Sequence, residues 1–67
     1  MDNQISQLRE RIQDEFRIRG RREKVRNIVF LCRGEDGIKV WIIYGNNGKI
    51  LGYAKESEEL EVIGSGF

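Results

Sequence analysis

Histidine is absent from all 67 residues and cysteine occurs once, as Cys32. Without histidine the chain has no side chain that ordinarily titrates near neutrality and no Cys/His zinc site, and one cysteine cannot close an intramolecular disulfide. A reducing, cytoplasmic location is expected. Proline is absent too, and no stretch is low in complexity or long enough to serve as an interdomain linker. The apolar run Ile28 to Cys32 is far too short to span a bilayer. The N-terminus lacks the basic-then-apolar order of a signal peptide, so no membrane partner is expected. Ser6, Ser57 and Ser65 have no base of the usual kind beside them, and no carboxylates converge at acid–base spacing. The expectation is a non-enzymatic chain without cofactor or metal.

What is present is a division of charge. The formal net charge is +1, yet Arg17, Arg19, Arg21, Arg22, Lys24 and Arg26 crowd into ten residues, opposed there only by Glu23. The acidic counterpart is Glu56, Glu58, Glu59 and Glu61 near the other end. Such a basic run meets a polyanion, a carboxylate-bearing partner or the chain's own acidic segment. At this length one domain, residues 1–67, lies near the lower limit at which a single core outweighs chain entropy, so a homodimer is expected.

Ile5, Leu8, Ile12 and Phe16 recur at spacings of three, four and four, the signature of one helix face. A helix over about 3–19 follows, with Asp2 or Asn3 as N-cap, Glu15 and Arg19 as an i,i+4 pair, and Gly20 as the left-handed residue that ends it. Residues 20–26 form the basic junction. From about 25 to 63 the pattern is β-branched and aromatic, broken at Gly34-Glu35-Asp36-Gly37 and Gly45-Asn46-Asn47-Gly48, leaving a short C-terminal tail. The second turn is no P-loop: Ile43 stands where that loop needs glycine and Ile50 where it needs Ser or Thr. The predicted fold is α+β, an N-terminal amphipathic helix packed on one face of a three- to four-stranded antiparallel meander.

Both turns suit a type I turn followed by a left-handed glycine, pairing Gly34 with Ile38 and Gly45 with Lys49. Counting back from these pairs puts Ile28, Phe30, Cys32, Val40, Ile42, Tyr44, Ile50, Gly52 and Ala54 on one face, where the helix is expected. Val29, Leu31, Arg33, Lys39, Trp41, Ile43, Leu51, Tyr53 and Lys55 fall on the other. That second face sets Trp41 opposite Tyr53, with Arg33, Lys39 and Lys55 clustered at one end. It needs a cover, which could be the C-terminal segment with Leu60, Val62 and Phe67, a second subunit or a ligand.

Two functions fit this arrangement. In the first, a small nucleic-acid-binding or regulatory protein contacts phosphate through Arg19, Arg21, Arg22, Lys24 and Arg26. It stacks bases on Trp41 and Tyr53 beside Arg33, Lys39 and Lys55, the sequence not distinguishing DNA from RNA. In the alternative, a homodimeric protein-interaction module, an inhibitor or adaptor, uses the Trp41 face as its subunit interface.

Overall fold

The computed structural model describes residues 3–63. Helix α1 (Asn3–Ile18) is followed by strands β1 (Asn27–Arg33), β2 (Lys39–Tyr44), β3 (Ile50–Glu56) and β4 (Glu61–Ile63). The strands form one antiparallel sheet in the order β1-β2-β3-β4, with α1 across one face. This is the α+β architecture that the periodicities predict. Asp2 and Phe67, candidates for a cap and a cover, lie outside the described residues.

Helix α1 buries Leu8, Ile12 and Phe16, the last two completely. Each such side chain contributes about 1.5–3 kcal/mol on leaving water. Ile5 continues the stripe in sequence but stays 41% exposed, so the helix meets the core with its last three turns. The helix ends as its sequence dictates. Gly20 takes φ +76, its N–H donates to the Arg17 carbonyl (3.0 Å), and the Arg21 N–H donates to the Phe16 carbonyl (2.8 Å). These two bonds satisfy carbonyls that the last turn leaves open.

Both hairpin turns close at the expected pairs. The Gly34 N–H donates to the Ile38 carbonyl (2.9 Å) and the Gly45 N–H to the Lys49 carbonyl (2.7 Å). Gly37 and Gly48 hold positive φ as expected, but Asn47 does so too (φ +60), so the second turn keeps the expected pairing without the expected type I conformation. Beyond the turns the register departs from the count. A bulge between Phe30 and Cys32 makes Leu31 the extra residue of β1, and a second shift makes Leu51 the extra residue of β3. Gly52, at φ +152, adopts a backbone that essentially only glycine tolerates and lets the second bulge form.

The two bulges turn β2 over relative to its neighbours. Ile28 and Ala54 face the helix as expected, but from β2 it is Ile43 and Trp41 that do so, not Val40, Ile42 and Tyr44. Leu51, expected on the far face, is buried in the core, where its side chain lies so close to Gly45 that a Cβ there would stand 3.0 Å from it. Cys32, expected on the core face, is exposed. The core is completed by Val25 from the junction and Val62 from β4, with Trp41 and Leu60 packed at its margin. Val62 and Leu60 therefore belong to the helix side and do not cover the opposite face.

Candidate functional site

Four of the six cations in the basic run have partners. Arg17 pairs with Asp14 (3.2 Å) and Arg19 with Glu15 (3.9 Å), both along the helix. Arg19 also donates to the Val62 carbonyl (3.1 Å), tying β4 to the helix end. Arg21 bonds Glu23 (3.1 Å) and lies over the Phe16 ring, 4.1 Å from its centroid. Its guanidinium holds the Glu23 carboxyl below its ordinary pKa. Arg26 donates to the Asn46 side chain (2.7 Å). Arg22 and Lys24 have no side-chain partner among the described residues. None of the ion pairs among these residues joins Glu56, Glu58, Glu59 or Glu61 to the basic run.

Gln13 organises this end of the molecule, and nothing in the sequence pattern singled it out. Its side chain accepts a hydrogen bond from the Val25 N–H (2.8 Å) and donates to the Glu23 carbonyl (3.2 Å). The junction is thereby laid along the helix, and Arg17, Arg21, Arg22 and Lys24 line one groove with Gln13. A groove of that composition can take a phosphate or carboxylate oxygen through guanidinium and ammonium donors.

The aromatic and basic residues expected on one sheet face are divided between two. Trp41 lies on the helix side, half-buried, edge-on to Phe30 (centroids 5.6 Å apart, planes at 78°), with its indole N–H donating to Glu56 (2.9 Å). It sits opposite Ala54, not Tyr53. Arg33 and Lys39 share that side, directly opposite each other. Tyr53 and Lys55 occupy the other face, across from Ile42 and Val40. A stacking platform of Trp41 with Tyr53 is therefore not assembled, and the Trp41 side is largely taken up by the protein's own packing.

The opposite face of the sheet carries no covering element among the described residues. Register places Val29, Ile42, Tyr53 and Ile63 in one row across all four strands. Tyr44 and Ile50 flank the row at one end, Cys32 and Val40 at the other. Val29, Ile50 and Ile63 are 40–44% exposed, while Ile42 and Tyr53, at the centre, are shielded only by their neighbours. Alternation of residues along each strand, once the bulges are placed, is the signal that finds this face.

No protein-family model matches the chain, no curated protein matches its sequence, and no solved structure matches its fold. No helix among the described residues is long and apolar enough to cross a membrane. The function must be read from the two surfaces themselves.

Proposed function

We propose that this chain is a non-enzymatic protein-interaction module that engages another polypeptide through the open sheet face. The observation that carries the reading is the unbroken apolar row Val29, Ile42, Tyr53 and Ile63. Soluble monomers seldom expose a contiguous apolar patch beyond a few hundred Å² unless something docks there. Tyrosine within such a patch supplies a broad apolar contact and a hydroxyl for the rim. The exposed, unpaired Cys32 suits action in a reducing compartment such as the cytoplasm. Carbene footprinting tests the reading: peptides carrying Ile42 and Tyr53 should be labelled less in cells than in dilute purified protein. Equal labelling in both would remove it.

The groove of Arg17, Arg21, Arg22 and Lys24 supports a second reading, binding of a nucleic-acid backbone. Local pairing leaves Arg22 and Lys24 as its most available cations, with Arg19 and Arg26 directed to protein acceptors. Binding of a labelled oligonucleotide should then weaken steeply with salt. Arg22→Ala with Lys24→Ala should lower the slope of log affinity against log salt by about 2. An unchanged slope would exclude the groove.

A further inference from the structure

Resting on the interaction reading, we infer that the occupant of the open sheet face is a second copy of this chain, packed sheet on sheet. Charge is the first argument. In a chain that is 34% charged, the strand residues of this face include only Lys55 and Glu61, and these stand opposite each other on β3 and β4. One positive and one negative charge leave the face with no net charge, so it neither repels an identical face nor attracts a polyanion. Shape is the second. Two sheets pack in alignment about 10 Å apart at an angle set by their twist, and two copies of one sheet bring equal twists to the contact. Size is the third. Four strands span about 19 Å and the three rows about 20 Å, a footprint of about 400 Å² per copy. Doubled to about 800 Å² for the pair, this falls below the roughly 1,200 Å² of stable complexes, so the dimer is weak, reversible and populated only at high concentration.

Edge-to-edge pairing through β1 is a different assembly, and the two are separable. The bulge at Leu31 interrupts the β1 ladder and blunts that edge for pairing, whereas it leaves the apolar row of the face intact.

The test is sedimentation equilibrium from about 1 µM to about 1 mM, joined to crosslinking in cells with p-benzoylphenylalanine in place of Tyr53. The mass should rise with concentration from 7.8 kDa toward twice that value. Ile42→Glu and Ile42→Lys should each hold it at the monomer mass with the far-ultraviolet circular dichroism unchanged, and mixing the two should restore the dimer by opposite charge. Tyr53→Lys provides a second disruption should either variant fail to fold. A wild type that stays monomeric throughout, or a dimer that ignores both Ile42 variants, overturns the inference. Crosslinks to a chain of the same sequence support it. Crosslinks only to other proteins overturn the second copy but preserve the interaction reading, and no crosslink to any polypeptide removes both.

Discussion

Ile42 and Ile43 are chain neighbours of identical chemistry that face opposite worlds. Ile43 is fully buried beneath α1, in a core completed by Phe16, Ile12 and Leu51. Ile42 sits at the centre of a face with nothing across it among the described residues. On the covered face a single amphipathic helix and β4 close a core of nine residues among those described, all on one side of the sheet. A fold of this size has little apolar burial to spare, so leaving a comparably apolar second face open makes stability and association aspects of one problem.

The comparison can be broken most sharply in the core. Phe16→Ala should cost about 3–5 kcal/mol and Ile43→Ala about 2–5 kcal/mol, enough to abolish cooperative urea unfolding in a domain of this size. Ile42→Ala, one residue away, should cost little at micromolar concentration and progressively more as the protein is concentrated. An Ile42→Ala loss as large as that of Ile43→Ala at high dilution would show that the faces are wrongly distinguished. Next in size, Gly52→Ala should destabilise by about 1–3 kcal/mol, because alanine cannot hold the backbone that the β3 bulge needs. Trp41→Phe removes the indole hydrogen bond to Glu56 and, with its smaller ring, part of the packing at the core margin. The hydrogen bond alone should account for a loss of about 0.5–1.5 kcal/mol by chemical denaturation, with the lost ring contacts adding to it.

The smallest effect belongs to the basic groove. Glu23 has its folded-state pKa depressed, chiefly by the Arg21 hydrogen bond. Its contribution is therefore present above the unfolded carboxylate pKa and lost as pH falls through the folded one. Glu23→Gln should be slightly less stable than wild type at neutral pH and indistinguishable from it once the pH is well below that range. A gap that persists in acid would assign the effect to something other than this charge pair.

Local chemistry was legible in the sequence and distant register was not. The stripe through Leu8, Ile12 and Phe16, the stop at Gly20 and both turn pairs depend on residues within a few positions of one another, and all were readable. So was the i,i+4 pairing of Arg19 with Glu15. What escaped was the pair of bulges, because a one-residue slip is chosen by which set of β2 side chains packs best against α1, a contact distant in sequence. Gly52 inside an apolar strand was the available sign of a bulge. A count without that bulge sets Trp41 beside Tyr53, whereas the register pairs Trp41 with Ala54 and puts Tyr53 on the other face. The partners of Arg26 and Gln13 are likewise set by tertiary neighbours, Asn46 and the junction backbone.

The bulges at Leu31 and Leu51 also bear on how this chain could change over time. Strand β2 reads apolar on both sides, Trp41 and Ile43 on one, Val40, Ile42 and Tyr44 on the other. Deleting one residue from each flanking strand would leave the turns intact and roll β2 inside out, sending Trp41 outward while another apolar set enters the core. Paired single-residue deletions could thus rewrite the docking surface wholesale, a route to new partners that point substitutions on the same face do not offer.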